Sequence, residues 1–365
     1  MTGHRLIAYT HARDDPAARF RLRQYVPRFE RAGWSVSHRP CRPERPWASP
    51  FSVAPLRWIH QRAGVASRRW RRRRDIADAA GYDAAFVNRD LLEGRIENEA
   101  ALIRRNPRVL FDFDDAIHVG AKERHFAWIC EHAAWVSAGN ESLARAARRY
   151  TDRVSVIATA VETSAYPPPP PPREDTVLRV GWLGSDLSIR ETLFRHTAMI
   201  AELQRALNFE MVVVSRPWRE PPPPRPAIRF VEWSPSVETR IAELFDVGIM
   251  PLVDDELQRG KCGCKLLQYM AAGLPVIASP VGVNRSLVAP GRGFLARHRD
   301  DWGEALTRLA DPQRRCTLGT AGRRYVEREY STDVWFPRLL GVVDAVRTGS
   351  RPPPGDPVVS AGSGG

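Results

Sequence analysis

The sequence of 365 residues is poor in cysteine and has no long apolar run. Its five cysteines are odd in number and scattered, which argues against a disulfide framework. They are Cys41, Cys130, Cys262, Cys264 and Cys316. No apolar segment approaches the roughly 20 residues that span a bilayer, and the opening MTGHRLIAYTHARDD reaches charged residues too early for a secretory signal. We therefore expect a cytoplasmic protein.

Patterns that bind metals are also scarce. Cys262 and Cys264 have no second Cys or His pair nearby, so we do not expect a zinc site there. In FDFDDAIH (111–118), Asp112 and Asp114 form an Asp-x-Asp pair of the kind that hard cations bind. A motif of three residues is a weak signal. We expect neither a metal nor a cofactor.

Positive charge is abundant, with a formal net charge of +13 that comes mostly from arginine. The densest patch, residues 56–75, holds eight Arg and two Trp before its first acid, Asp75. An anionic membrane surface would attract such a segment by about 1 kcal/mol per basic residue. A solvated, arginine-rich helix is the alternative. Nucleic acid would be attracted too, but no nucleic-acid-binding module surrounds the patch, so we expect no specific nucleic acid partner.

The length exceeds what one hydrophobic core usually supports, and proline divides the chain. YPPPPPPRED (166–175) is typical of a stiff polyproline linker. It separates a predicted domain at 1–165 from a second one at 176–330. The PPPP at 221–224 predicts a loop, and residues 349–365 predict a disordered tail.

Short β-branched segments alternate with helical patterns on both sides of this linker. Before it come RLIAYT, WSVSHR, AAFVNR, RVLFDFDD, AAWVSAGN and VSVIAT; after it come VLRVGWLG, FEMVVVS, AIRFVEW, DVGIMPL and LPVIAS. This alternation predicts right-handed βαβ units and parallel sheets. We therefore predict an α/β protein with two doubly wound domains facing each other across a cleft. Ligands bind such sheets beyond the carboxyl ends of the strands.

One candidate anion site follows the first strand of the second half. In RVGWLGSDLSIRETL (179–193), Gly184 allows close backbone approach, and Ser185, Asp186 and Ser188 are natural N-cap residues. The stretch lacks the glycine triplet of the dinucleotide fingerprint. An ordinary strand-to-helix turn remains the alternative.

A second candidate lies in RGKCGCKLLQYMAAGLP (259–275). Lys261 and Lys265 flank a loop in which Gly260 and Gly263 expose backbone N–H groups before a short helix. This combination suits a diphosphate. Gln268 follows Lys265 on the same side of the helix, where its amide could bind ribose hydroxyls. Leu266, Leu267 and Met270 are predicted core residues.

At this point the sequence resembles the family-4 glycosyltransferases of the GT-B fold. GKCGCKLLQYMAAGLPVIASPVGVNRSLV (260–288) is similar to the donor-binding segment of that family, and 291–331 is similar to its C-terminal region, including a Gly-Phe-Leu turn. The resemblance implies metal-free transfer of a sugar, with retention, from a nucleotide-diphosphate donor bound by the second domain. It also implies that Gly282 and Asn284 lie near the nucleotide, and that a helix at 331–348 crosses back to the first domain.

The sequence departs from the family at one pair of positions. Many members carry two Glu eight positions apart, where this chain has Gly260 and Gln268. Asp254, Asp255 or Glu256 could take over contact with the donor sugar. The departure leaves open a sugar-nucleotide epimerase or hydrolase, and a catalytically degenerate scaffold associated with the membrane.

The resemblance implies that the first domain holds the acceptor, which could be a glycan, a lipid-linked glycan or a small molecule. Asp114, Asp115 and His118 follow a predicted strand, where they could orient the acceptor hydroxyl or receive its proton. Capping of the turn and pairing with arginines is the alternative role for these carboxylates. In THARDDPAARFRLRQYVPRF, Arg19 and Arg21, with Arg23, could meet phosphate or an anionic acceptor. A charged helix face is the alternative for these arginines.

Overall fold

The computed structural model of the chain describes residues 3–42, 53–92, 96–120, 122–171, 173, 177–217 and 226–353. It divides into two compact units. The first contains the chain up to Thr159 and again from Trp335 onward, and the second contains Ala160–Val334. The predicted PPPP loop at 221–224, and the predicted tail from 354 onward, lie outside the described residues.

The first unit is built on a six-stranded parallel sheet with the strand order β2-β1-β3-β4-β5-β6. Its strands are β1 (His4–Ala12), β2 (Trp34–Arg42), β3 (Ala84–Asn88), β4 (Val109–Phe113), β5 (Trp135–Ala138) and β6 (Val154–Val156). Its helices are α1 (Pro16–Arg21), α2 (Val26–Arg31), α3 (Ala54–Asp78), α4 (Ile96–Arg105), α5 (Glu123–His132) and α6 (Glu141–Arg148). Strands β3 and β4 are buried at every position, as expected when helices cover both faces of a parallel sheet.

The second unit is built on another six-stranded parallel sheet, with the order β12-β11-β10-β7-β8-β9. Its strands are β7 (Arg179–Leu183), β8 (Glu210–Ser215), β9 (Ile228–Glu232), β10 (Val247–Met250), β11 (Val276–Ala278) and β12 (Gly293–Leu295). Its helices are α7 (Asp186–Glu191), α8 (Thr197–Leu207), α9 (Pro235–Thr239), α10 (Glu256–Arg259), α11 (Cys264–Ala271), α12 (Asn284–Leu287), α13 (Arg299–Leu309) and α14 (Pro312–Glu329). Trp182, one of the core residues of this unit, is fully buried.

The predicted α/β class and the two doubly wound parallel sheets are confirmed, and every strand predicted from the sequence is present. One strand was missed. The Gly-Phe-Leu segment was predicted as a turn, but it forms the edge strand β12, which pairs with β11. It has only three residues, none of them buried, so no apolar run marks it in the sequence. A Cβ on Gly293 would lie 2.3 Å from the carbonyl oxygen of Val276, so this pairing requires glycine.

The proline run differs from the predicted linker. The chain passes into the second unit at residues 159 and 160, before the run begins. The guanidinium of Arg323 donates to the carbonyl oxygens of Tyr166 (3.0 Å) and Pro167 (2.8 Å). A proline segment offers carbonyl acceptors but few N–H donors, and an arginine satisfies that imbalance. The described part of the run therefore packs on the second unit instead of spacing two domains apart.

The chain returns to the first unit within the last helix, α15 (Thr332–Thr348). Phe336 on this helix stacks on Tyr25 with ring centroids 6.1 Å apart, and it meets Phe29 edge-on at 5.1 Å.

Among the described residues, no helix combines the length and the apolar character needed to cross a bilayer.

Candidate functional site

The order of the strands marks one point on the second sheet. From β7 the chain proceeds to β8 and β9 on one side, and then returns to β10 on the other side of β7. In open parallel sheets, ligands bind at such a switch point, beyond the carboxyl ends of the two strands. Gly184 and Ser185 follow β7, and the loop that leads to Lys261 and Lys265 follows β10. Topology therefore brings together the two segments that the sequence predicted as anion sites.

Lys265 lies directly beside the turn after β7. Its Nζ donates to Ser188 Oγ at 2.9 Å and lies 5.0 Å from the centroid of the Trp182 ring. A Cβ on Gly184 would lie 2.8 Å from Lys265 Cε and 2.4 Å from Trp182 Cη2. The sequence needs glycine at this position because the lysine and the tryptophan occupy the space of a side chain. Ser185 Oγ caps α7 by accepting from the N–H of Ser188 at 3.2 Å.

Lys261 approaches the same helix. Its Nζ lies 3.9 Å from Glu191 Oε2, and its side chain is only 14% exposed. The whole sequence contains three lysines against 52 arginines, and two of these three contact α7. Two ammonium groups are thus concentrated at the switch point of the second sheet.

Tyr269 holds α11 in place, and sequence reasoning missed it. Its hydroxyl accepts the N–H of Leu183 at 2.8 Å, at the end of β7. The ring lies where a Cβ of Gly248 would be, 2.4 Å from the ring carbons. Burial raises the pKa of the Tyr269 phenol, so the group stays neutral. Since Lys265 is one helical turn earlier, this contact fixes the lysine relative to β7. The position of this tyrosine between the core residues Leu267 and Met270 was the available signal, because a buried hydroxyl needs a partner.

The other predicted donor residues lie on the same side of the second unit but are more buried. Gln268 is 4% exposed, and among the described residues its Nε2 has no hydrogen-bond partner. Asn284 is 1% exposed and donates from Nδ2 to the carbonyl of Ser279 at 3.0 Å. Gly282 has a φ of 53°, and a Cβ there would lie 2.6 Å from the carbonyl oxygen of Arg259. Asn284 and Gly282 therefore shape the loop after β11 against the end of α10.

The acidic loop before Lys261 is engaged with arginines. Asp254 pairs with Arg259 at 2.6 Å, and this hydrogen bond lowers the pKa of the Asp254 carboxyl. Asp255 caps α10 by accepting the N–H of Gln258 at 2.8 Å, and its other oxygen pairs with Arg195 at 3.0 Å. Glu256 is the first residue of α10, and Gly260 ends that helix.

The first sheet has its own switch point, between β1 and β3. His11, at the end of β1, is hydrogen-bonded through Nε2 to the carboxylate of Asp90, just after β3. Lys122 Nζ lies 3.5 Å from the other oxygen of Asp90. Burial alone would raise the pKa of Asp90, but the hydrogen bond and charge of His11, with Lys122, hold that pKa well below its usual range. Sequence reasoning missed this pair, because only the order of the strands brings β1 next to β3.

Close by, His125 packs in a second pair. Its Nε2 lies 3.3 Å from Glu99 Oε1. Burial opposes a charge on this imidazole, but the close carboxylate of Glu99 and the negative charge of Asp90 together raise the pKa of His125.

The predicted acceptor-side residues lie at the end of β4, next to an unusual arginine. Arg89 Nη2 lies 3.1 Å from Asp114 and 3.8 Å from Asp115. Its backbone has a φ of 67°, a conformation that residues other than glycine rarely adopt. His118 lies over the Phe126 ring with centroids 5.4 Å apart. Both carboxylates thus have the arginine pairing that was the alternative to a catalytic role.

Arg21 does not lie where a phosphate could reach it. It is 3% exposed, and it donates from Nε and Nη2 to the two oxygens of Asp112 at 3.1 and 2.5 Å. Asp112 also accepts from Asn88 (2.9 Å) and Ser137 (2.8 Å). Arg21 therefore ties helix α1 to the ends of β3, β4 and β5, and the predicted phosphate contact does not fit its burial.

The neighbouring arginines are more exposed. Arg19 lies over the ring of Phe20 at 5.2 Å, and Arg23 pairs with Asp14 at 2.6 Å.

Among the described residues, no group of three or more His, Cys, Asp or Glu side chains is arranged to hold a metal ion.

Known proteins share the fold and part of the sequence. Residues 176–311 match the family model of the glycosyl transferases group 1. A segment of 86 residues is 35% identical to the GDP-mannose-dependent monoacylated alpha-(1-6)-phosphatidylinositol monomannoside mannosyltransferase of Corynebacterium glutamicum. That match spans 23% of this chain and 23% of the relative.

The solved structures cover almost the whole chain. Sucrose-phosphate synthase from Thermosynechococcus elongatus is 17% identical, with a TM-score of 0.67 over 95% of this chain and 100% of that one. HepE from Anabaena, in complex with UDP and glucose, is 12% identical, with a TM-score of 0.67 over 94% of this chain and 100% of that one. A glycosyltransferase from Rickettsia africae is 11% identical at the same TM-score, over 95% and 99% of the two chains. At these identities the likeness shows the fold, which is GT-B.

Proposed function

We propose that the protein transfers a sugar from a nucleoside-diphosphate sugar to a hydroxyl group of an acceptor. The observation that carries the proposal is the position of Lys261 and Lys265 beside α7, at the switch point of the second sheet. The match of residues 176–311 to the glycosyl transferases group 1 supports it. Membership of family 4, retention of configuration and independence of metal are parts of the same proposal, and they rest on sequence resemblance.

The two lysines suit the diphosphate of the donor. A hydrogen bond between a charged donor and a phosphate contributes about 1.5–3 kcal/mol when partly desolvated. During transfer the bond between the anomeric carbon and the diphosphate oxygen breaks, and negative charge collects on the leaving diphosphate. Ammonium groups already fixed at that position stabilise this charge more than reorganising water does. Gln268, with its buried amide, is proposed to bind the nucleotide's ribose.

The acceptor is proposed to bind at the carboxyl edge of the first sheet. The acceptor oxygen forms the new bond to the anomeric carbon and gives up its proton to a base. Asp114, Asp115 and His118 remain candidates for this base, but both carboxylates lie within ion-pair distance of Arg89.

His11 is a further candidate. It lies at the switch point of the sheet, is 16% exposed, and is oriented by a carboxylate that stays ionised. We place it in the role of base, with Asp90 as the residue that positions its ring.

A thermal melting experiment tests the donor site. A ligand at about 100 times its Kd stabilises the folded state by about 2.7 kcal/mol, which corresponds to a rise in Tm of about 5–10 °C for a unit of this size. The panel contains GDP, UDP and ADP with their mannose and glucose conjugates. We expect a shift with one nucleotide family, its loss in Lys265→Ala, and its retention in Lys122→Ala, the third lysine of the chain.

Turnover assays with the same panel of nucleotide sugars, alongside the melting data, separate the alternatives. Turnover of the donor at full rate without an acceptor would favour an epimerase or hydrolase. A melting shift without turnover over a broad range of glycan, lipid-linked and small acceptors would favour a degenerate scaffold. No shift with any nucleotide would contradict the proposal.

A further inference from the structure

Helix α3 is anchored to the first unit by one buried arginine. Arg72 is 1% exposed, and its guanidinium donates to the carbonyl oxygens of Leu91 (2.9 Å), Arg39 (3.0 Å) and Thr10 (3.1 Å). Ile76, one turn later, is also buried. These contacts fix which side of the helix faces the protein, and therefore which side faces away from it.

The opposite side carries an apolar stripe. Residues at intervals of three and four positions share one face of a helix, and residues two positions apart lie on opposite sides. Trp70 is two positions before Arg72 and therefore points away from the protein. Counting back from Trp70 at intervals of four and three gives an exposed set, which we call the α3 outer stripe: Leu56, Ile59, Ala63, Ala66 and Trp70. Its three large members, Leu56, Ile59 and Trp70, are 46%, 56% and 61% exposed.

Arginines flank this stripe on both sides. Arg62, Arg69 and Arg73 lie along one border and Arg71 lies along the other, and Arg74 follows Trp70 at the end of the stripe; all five are exposed. Within the part of the chain that the structure describes, Arg62, Arg69, Arg73 and Arg74 form no ion pair with a carboxylate. Arg74 instead lies over the Trp70 ring at 5.2 Å. The helix carries no acid between Ala54 and Arg74. The face is thus apolar along its centre and positively charged along its edges.

We propose that the α3 outer stripe docks on the surface of an anionic lipid bilayer. An apolar stripe enters the boundary between headgroups and acyl chains, tryptophan settles at that interface, and arginines at the borders reach the lipid phosphates. Two other binding partners fit this face of the helix less well. Nucleic acid would use the arginines but leave the apolar residues exposed, and a second copy of this chain would bring two arginine borders of the same sign together. The proposal does not depend on the proposed transferase activity.

Co-sedimentation of the full chain with vesicles tests the proposal. We expect the protein to bind vesicles that contain about a third phosphatidylglycerol, to bind pure phosphatidylcholine vesicles at least ten-fold more weakly, and to lose most of its binding in 0.5 M salt. The triple variant Leu56→Ser, Ile59→Ser, Trp70→Ser should bind anionic vesicles at least ten-fold more weakly. Exchange of Arg62, Arg69 and Arg73 for glutamine should remove the preference for anionic lipid.

The matched control replaces three exposed apolar residues of the second unit, Leu207→Ser, Phe230→Ser and Leu295→Ser, and should bind like the unmodified chain. Unchanged melting temperatures would show that the variants fold. Equal binding of the stripe variant and the control would overturn the proposal. So would a change in sedimentation velocity, in the absence of lipid, that shows the stripe variant dissociating a dimer, because the face would then join two copies of the chain.

Discussion

The ammonium group of Lys265 donates a 2.9 Å hydrogen bond to Ser188, a residue 77 positions earlier in the chain. This bond joins α11, the second helix after β10, to α7, the helix after β7. The strand order of the second sheet reverses between these two strands. The contact places a positive charge at the switch point of the sheet, where open parallel sheets bind their ligands.

Replacing Lys265 with alanine should affect activity far more than stability. We expect turnover to fall by about 10²–10³-fold, the usual effect of removing one fixed donor to a developing negative charge. The free energy of unfolding should change by less than about 1 kcal/mol, since the side chain is only partly buried. Steady-state kinetics and urea denaturation measure the two effects. Full activity in this variant would contradict the assignment of the donor site.

Two glycines in GWLGS should respond differently to alanine. A Cβ on Gly184 would press on the side chain of Lys265 and on the buried ring of Trp182, so Gly184→Ala should weaken nucleotide binding as well as lower the free energy of unfolding. A Cβ on Gly181 would lie 2.0 Å from the buried ring of Phe245, so Gly181→Ala should cost about 1–3 kcal/mol of unfolding free energy. Calorimetric titration with the nucleotide, alongside denaturation, distinguishes them. Unchanged nucleotide binding in the folded Gly184→Ala variant would show that Gly184 serves packing alone.

Arg21 and Arg19 offer a matched comparison on one helix. Arg21→Ala leaves the buried carboxylate of Asp112 without its main partner, which should cost about 3–5 kcal/mol of unfolding free energy. Arg19→Ala should change that free energy by less than about 0.5 kcal/mol. Urea titrations of both variants give the values directly. A mild effect of Arg21→Ala, together with weaker substrate binding, would return Arg21 to the phosphate-binding role predicted from the sequence.

The His11 and Asp90 pair should be needed for turnover but not for donor binding. His11→Gln should lower turnover by about 10²–10⁴-fold, and Asp90→Asn should lower it less and shift the pH profile, because the ring loses its orienting carboxylate. The melting shift with the nucleotide should remain in both variants, since the donor site lies in the other unit. An unaltered turnover in His11→Gln would leave Asp114, Asp115 and His118 as candidates for the base.

His38 should make the folded state sensitive to mild acid. Its burial, with the charges of Arg23 and Arg13, lowers the pKa of the imidazole to about 4. An unfolded histidine has a pKa of about 6.5, so between these values the unfolded chain binds a proton that the folded chain does not. Stability should therefore fall as the pH drops from about 6.5 to about 4.

Urea denaturation at several pH values tests whether stability falls with the pH in this range. His38→Gln should flatten the slope of unfolding free energy over that range. Identical slopes in the chain and in His38→Gln would contradict the prediction.

Sequence patterns within single segments predicted the strands and the segments that carry Gly184 and Lys265. Gly184 and Lys265 each follow a strand, so their meeting at one edge of the sheet follows once the strands are recognised. His11 and Asp90 meet only because β3 lies beside β1, and no local signal gives that order. The burial of Arg21 likewise depends on a carboxylate 91 residues away. Charge and spacing in the sequence cannot distinguish a buried arginine that holds the fold together from an exposed one that binds a substrate.

The chain leaves the first unit once and returns to it once, so the second unit is a continuous insertion and the first is made of two segments. Domains usually fold as units while the chain is being synthesised from its N-terminus. The whole of residues 160–334 is therefore synthesised before Phe336, the residue that packs on Tyr25 and Phe29 in the first unit. The unit that begins first in the sequence is the last to be finished.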